Sequence, residues 1–262
     1  DSSDTLKRNR GRRGLDILRS SNLAGAIFTI PPQLQKVAED INKSIPIVVI
    51  SDRAQNLNID AIELNNYIAG ELIAKHLLEL GHQHIAYIST SLDQYNIART
   101  RRLDGLTKAF ISDNPQRTIV VKSRNITPEM DLNTLQIEHT VGYELTLECL
   151  SNKNITAFVA VNDMVAYGVI DALISKKFRI PEDYSVCGFD NLFPSRFSNV
   201  SLTSVEHHIV EKSHNAFEML LNKIEHNQAK DMPTYITRVE YQHNLVVRNS
   251  TGPAPVNRTR QR

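Results

Sequence analysis

The sequence predicts an α/β protein built on parallel sheets flanked by helices. Apolar runs of strand length alternate with amphipathic helical patterns along most of the chain, the βαβα order of parallel sheets covered on both faces. The runs Ile47–Ser51 and Ile155–Val161 are almost continuously apolar, as expected of strands buried on both sides. The stretch 155–191 reads as strand, helix, strand, and its apolar runs end abruptly in Asn162-Asp163 and in Asp190-Asn191. Open α/β sheets bind ligands off the carboxyl ends of their strands, so Asn162 and Asp190 are candidates to hydrogen-bond one small polar molecule.

The elements follow in order. A helix is expected over about Leu6–Ser20, then a strand over Ala24–Ile30. Pro31-Pro32 opens a helix near Gln33–Lys43, since proline is tolerated in a first turn. Strands Ile47–Ser51 and Asp60–Leu64 lead to a helix over Asn66–Leu80, stopped by Gly81. A strand Ile85–Ser89 follows. Further helices fall near Ile97–Ser112, Leu135–Leu150, Asp163–Lys176 and His208–His226, with strands near Thr118–Lys122, Ile155–Val161 and Tyr184–Gly188. Thr234–Val247 alternates in the strand manner, and Ser250–Arg262, with Pro253, Pro255 and no periodicity, reads as a disordered tail.

At 262 residues and 41% hydrophobic, the chain can bury one substantial core or two medium ones. A net charge of +1 argues against a broad nucleic-acid surface; basic residues crowd both ends, Lys7–Arg13 and Arg258–Arg262. No apolar run approaches the ~20 residues of a membrane helix. The polar N-terminus lacks the apolar stretch of a secretory signal, so a cytoplasmic protein making no membrane contact is expected. Cys149 and Cys187 read as buried thiols rather than a disulfide. His76, His82 and His84 cluster without a cysteine, and neither a metal nor a cofactor is expected. The sequence contains no Gly-x-Ser-x-Gly elbow, phosphate-binding glycine loop or His-Glu-x-x-His pair, so an enzyme is not expected.

Several segments together resemble the LacI/GalR family of bacterial transcription regulators. Besides 155–191, these are His76-Leu-Leu-Glu-Leu-Gly-His82-Gln-His-Ile-Ala-Tyr-Ile, Arg102-Leu-Asp-Gly105-Leu and Ser201-Leu-Thr-Ser-Val205, all in family order. The resemblance spans roughly Gly14 to Arg248. It implies a periplasmic-binding-protein-like architecture of two similar lobes joined by three chain crossings, with an effector held between them. On that pattern the first lobe comprises 1–91 plus 207–230, the second 92–206 plus 231–249, and 250–262 is the tail. The crossings then fall near Ser89–Leu92, Val205–His207 and Ala229–Met232. The family's DNA-reading helix-turn-helix and the opening strand-helix-strand of its first lobe have no counterpart before Leu6. The first lobe is therefore expected to be incomplete, with the strand Ala24–Ile30 left unpaired on one edge.

The resemblance also weights individual residues. Asp190 stands where the family's Gly-x-Asp contacts the effector; the alternative is that it caps its own loop. Arg102, three residues before Gly105, stands where a guanidinium forks onto hydroxyls or a carboxylate, with Arg101 and Arg99 beside it in another register; the alternative is a surface arginine. Asn162 suits a vicinal diol, or an N-cap, or both. Asp163 reads as a helix-N-terminal carboxylate. Asp52, or Ser51 in another register, and Asn66 are weaker candidates from the first lobe. Tyr67, Tyr95 and Phe193 could offer an aromatic platform or simply pack. Tyr167 and Phe197 hold positions that pack between subunits in the family; core burial is the alternative.

The reading that follows is the effector-binding and dimerisation region of a LacI/GalR-type regulator. It would bind a sugar or related small metabolite, form a homodimer, and meet DNA only through a domain absent from this chain. An extracytoplasmic sugar-binding protein of a transporter is the alternative, separated by what lies upstream: a helix-turn-helix or an export signal.

Overall fold

The computed structural model describes residues 14–18, 20–29, 35–52, 57–93, 96–126, 134–229 and 235–255. The chain divides into two units, Asp1–Asn65 with His208–Gln242, and Asn66–His207 with His243–Arg262.

The first unit holds a parallel sheet in the order β1-β2-β3-β9, formed by β1 (Ala26–Phe28), β2 (Ile47–Asp52), β3 (Asp60–Leu64) and β9 (Arg238–Tyr241). Alternation along β2 divides its side chains between two cores. Ile47 and Val49 pack with Leu15, Leu18 and helix α1 (Gln35–Asn42) through Ala38 and Ile41. Val48 packs with Ile62 of β3 and with Ala216 and Leu220 of helix α6 (Ile209–Ala229). Two buried carboxylates on β3 are paired: Lys223 Nζ lies 3.1 Å from Asp60, and Arg238 lies 2.7 Å from Glu63. Among the described residues β1 is an edge strand. The helix expected from Leu6 is helical over 14–18; Leu6–Arg13 and Pro31-Pro32 lie outside the described residues.

The second unit holds a six-stranded sheet in the order β10-β8-β7-β6-β4-β5. Its strands are β4 (His84–Thr90), β5 (Thr118–Arg124), β6 (Ala157–Ala160), β7 (Ser185–Asp190), β8 (Thr203–Glu206) and β10 (Asn244–Val246). All neighbours are parallel except β8 and β10. Strands β4, β6 and β7 are buried almost throughout, which explains their unbroken apolar runs. Helices α2 (Asn66–Glu79), α3 (Ile97–Ile111), α4 (Thr134–Cys149) and α5 (Asp163–Ser175) belong to the same unit. Helices α2 and α3 touch backbone to backbone: a Cβ on Gly105 would stand 1.9 Å from the Tyr67 carbonyl oxygen, and one on Gly70 would stand 2.0 Å from that of Arg102. Gly105 of the Arg-x-x-Gly segment is thus a requirement of close approach.

Three expectations are corrected. First, the division at 91/92 is displaced: β4 pairs with both β5 and β6, and α2 packs on α3, so Asn66–Ser91 belongs to the second unit and the crossing lies at Asn65/Asn66. Second, the crossing placed near Ala229–Met232 lies at Gln242/His243, because β9 pairs in register with β3. The alternating run Thr234–Val247 is accordingly two short strands in different sheets. Third, the tail is ordered over 250–255. Ser250 bonds the Val186 backbone at both ends, its carbonyl accepting from Val186 N–H at 2.8 Å and its hydroxyl donating to the Val186 carbonyl at 2.6 Å. Ala254 N–H reaches the Leu80 carbonyl at 2.8 Å. Residues 256–262 lie outside the described residues.

Candidate functional site

In the second unit β4 leads through α3 to β5 on one side, while the chain then crosses to β6 on the other. The order of strands therefore switches between β4 and β6, the place where the carboxyl edge of an open sheet leaves a crevice. Asn162 follows β6, Asp190 ends β7, and Arg102 lies in the second turn of α3, the helix that follows β4.

Arg102 is only 8% exposed and each of its nitrogens meets protein. Nε donates to Asn66 Oδ1 at 2.9 Å and Nη1 to the Val161 carbonyl at 2.6 Å. Nη2 lies 3.6 Å from Asp190 Oδ1 and 3.4 Å from His207 Nδ1. The guanidinium also stands 4.8 Å over the Phe189 ring. Arg102 is therefore not a surface arginine; it ties α2, the end of β6 and the end of β7 together. His207 lies 3.8 Å from Asp190, and its ring is 4.9 Å from that of His243.

Asn162 caps α5, its Oδ1 accepting from Val165 N–H at 2.9 Å, while Nδ2 donates to Glu138 Oε2 at 2.8 Å. Glu138, 4% exposed on α4, also pairs with Arg99 at 3.1 Å, and Arg99 donates to the Thr90 hydroxyl. A chain of polar contacts, Thr90–Arg99–Glu138–Asn162, thus spans the switch point. Nothing in the sequence marked Glu138, and Arg99 stood out only as a neighbour of Arg102, because an acid and a base on amphipathic helices read as solvated side chains.

Asp190 and Asn191 adopt φ of 103° and 50°, left-handed backbone that costs non-glycine residues ~1–3 kcal/mol each. Asn191 is held on both sides: Arg248 donates to its Oδ1 at 2.6 Å, and its own amide donates to Glu206. Below them lies Asp163, fully buried. One carboxylate oxygen accepts from Leu192 N–H at 2.8 Å and from Ser195 Oγ at 2.6 Å; the other accepts from Ser204 Oγ at 2.6 Å. Burial raises its pKa to about 7 against the opposing pull of the two serine hydroxyls, and the Asp190 charge adds to the rise. The helix-terminal role expected of Asp163 understated its part at this edge.

The structure thus places Asp190, Arg102 and Asn66 in one connected cluster, with Asn162 following the Val161 carbonyl that Arg102 grips. Asp52, buried at the end of β2, belongs to the other unit. Tyr167 bonds Ser195 at 2.7 Å, and burial raises its pKa to about 12. Phe197 is 44% exposed and meets Phe193, 69% exposed, edge to face at 5.2 Å. Tyr67 carries Arg101 over its ring at 5.4 Å; Tyr95 lies outside the described residues. Cys149 and Cys187 are buried and free, and burial raises both thiol pKa values. His82 is fully buried and bridges Thr156 at 2.8 Å, Ser185 at 3.1 Å and the Gly252 carbonyl at 3.2 Å. No group of three His, Cys, Asp or Glu side chains that could hold a metal occurs among the described residues.

With this geometry in place, comparison defines the class. Residues 74–251 match the model of the periplasmic binding protein-like domain. The chain belongs to that family, as an effector-binding domain of the LacI/GalR type. It is 29% identical over 240 residues to the HTH-type transcriptional repressor PurR of Mannheimia succiniciproducens, covering 90% of this chain and 66% of that protein. It is 27% identical over 255 residues to the arabinose metabolism transcriptional repressor of Halalkalibacterium halodurans, covering 93% and 64%. The chain thus spans somewhat under two thirds of the length of these curated relatives. The fold superposes on a LacI family transcriptional regulator from Enterococcus faecium with bound ribose, with a TM-score of 0.74 and 22% identity over 91% of this chain and 83% of that one.

Proposed function

We propose that this chain is the effector-binding and dimerisation region of a transcriptional regulator. It takes a sugar or a related small metabolite at the carboxyl edge of the six-stranded sheet and thereby controls DNA binding by the full-length protein. The observation that carries this is the meeting of Asp190, Arg102 and the end of β6 at the topological switch of a family sheet. Asp190 accepts from sugar hydroxyls, with Arg102 holding its carboxylate in place; Asn162 offers further amide contacts beside its cap. Asn66 supports Arg102. The action is binding rather than catalysis: an effector shifts the regulator only by favouring one conformation over another. DNA contact is assigned to a separate domain of the longer, cytoplasmic protein.

The same reading makes the region a homodimer. Phe193 and Phe197 present an exposed aromatic pair, the kind of surface a second copy covers. Tyr167, behind them, supports that surface through Ser195.

Thermal shift against a panel of pentoses, hexoses and nucleobases, led by D-ribose and L-arabinose, tests the proposal. At least one sugar raises the melting temperature, and Asp190→Ala abolishes the rise while leaving the chain folded. Undiminished sugar binding by Asp190→Ala in calorimetry would remove Asp190 from the site. Absence of any sugar response would remove the function.

A further inference from the structure

Asp163 is fully buried, yet it is bonded to three points around the segment after β7. It holds Leu192 N–H and Ser195 Oγ directly. It holds Asn191 through Ser204, whose hydroxyl donates to Asp163 and accepts from Asn191 N–H at 3.0 Å. Ser195 in turn links it to Tyr167. The fold clears room for this carboxylate: a Cβ on Gly188 would stand 2.4 Å from Asp163 Oδ1. The segment so anchored begins with two consecutive left-handed non-glycine residues, a backbone that persists only where its surroundings over-determine it. At one end is Asp190, paired with Arg102; further along, on the 3₁₀ turn Phe193–Arg196 and just beyond it, are Phe193 and Phe197.

We propose that Asp163 is the positioning residue that makes segment 190–197 one rigid piece, so that an effector taken at Asp190 and a second copy of the chain seated on Phe193 and Phe197 act on the same backbone. The inference rests on the function proposed above. It adds to it the physical link between effector and dimer: neither can be displaced without straining the bonds that converge on one buried carboxylate. Asp163 itself touches neither partner.

Hydrogen exchange on the full chain, read by mass spectrometry, tests the link without any ligand. Above about pH 7, where the wild-type carboxyl is ionised, Asp163→Asn puts an amide N–H among hydroxyl and amide donors, and exchange over 190–197 rises roughly tenfold or more while β6 stays protected. Ser204→Ala and Ser195→Ala each remove one donor, and serve where Asp163→Asn does not fold; the first frees Asn191 and the second loosens the turn at Phe193–Arg196. Exchange in 190–197 identical to wild type in these variants overturns the inference. In the second arm, Asp163→Asn weakens both D-ribose affinity by calorimetry and dimerisation by sedimentation roughly tenfold, whereas a merely structural role lowers the melting temperature and leaves both constants unchanged. A wild-type chain that answers to no sugar removes the proposed function and leaves the exchange pattern and the dimer constant to decide this inference.

Discussion

The guanidinium of Arg102 stands 3.6 Å from the carboxylate of Asp190, although 88 positions separate the two in sequence. Both side chains are largely buried, so each depends on the other more than a surface pair does. Removing Arg102 takes the cation from beside Asp190 and a donor from both Asn66 Oδ1 and the Val161 carbonyl. Arg102→Leu is expected to lower the unfolding free energy by about 3 kcal/mol in urea. Arg102→Lys restores less than half, because one ammonium cannot reach all these partners at once. An unchanged urea midpoint in Arg102→Leu would show the cluster to be incidental.

Asp190 sits at φ 103°, where glycine is unstrained and alanine is not. Asp190→Gly therefore relieves backbone strain as it removes the charge. Its stability is expected to exceed that of Asp190→Ala by about 1 kcal/mol, with both variants losing the sugar response. Equal midpoints for the two variants in chemical denaturation would show that the loop relaxes to an ordinary conformation once the carboxylate is gone.

The raised pKa of Asp163 fixes the sign of a pH effect. Its folded value of about 7 lies above the ordinary 3.8, so between them the folded chain holds a proton that the unfolded chain has released. Stability contributed by that proton is complete below about pH 4 and is lost as pH rises towards 7. Measured against Asp163→Asn, which cannot titrate, wild-type stability should fall across this window by up to ~1.4 kcal/mol per pH unit. A difference that stays flat from about pH 4 to 7 would mean the three donors hold the carboxylate ionised in spite of its burial.

Residues 250–255 complete the second unit rather than trailing from it. Ending the chain at Asn249 strips Val186, fully buried, of both backbone partners and takes the Gly252 carbonyl from His82. A loss of about 3 kcal/mol or more is expected, since each buried group left unmet costs ~1–3 kcal/mol. Circular dichroism melts of the two lengths measure it, and superimposable melts would contradict the packing described.

Much of the fold was legible because strands buried on both faces must be apolar along their length, and Ile47–Ser51, Ile85–Ser89 and Ile155–Val161 are. Where the reading failed, the missing information was partner choice. Alternation in Thr234–Val247 is equally compatible with one strand or two, and only pairing with β3 and with β8 separates Arg238–Tyr241 from Asn244–Val246. Asn66–Ser91 could not be assigned to a unit until β4 was seen between β5 and β6. The polar tail read as disordered because composition does not show that its backbone and its Ser250 and Thr251 hydroxyls meet partners on β7, β8 and α2.

The candidate site divides the same way. By itself the sequence determined that Asn162 and Asp190 end buried strands, since a polar residue closing an apolar run stands at a sheet edge whatever its neighbours are. Family motifs added Arg102. The tertiary structure alone decided that Arg102 faces Asp190, that Glu138 is buried against Asn162 and Arg99, and that Asp163 gathers three donors. Periodicity records which face of an element a side chain occupies; which distant group shares that face depends on how the elements pack, and that is where burial, charge pairing and the raised pKa of Asp163 arise.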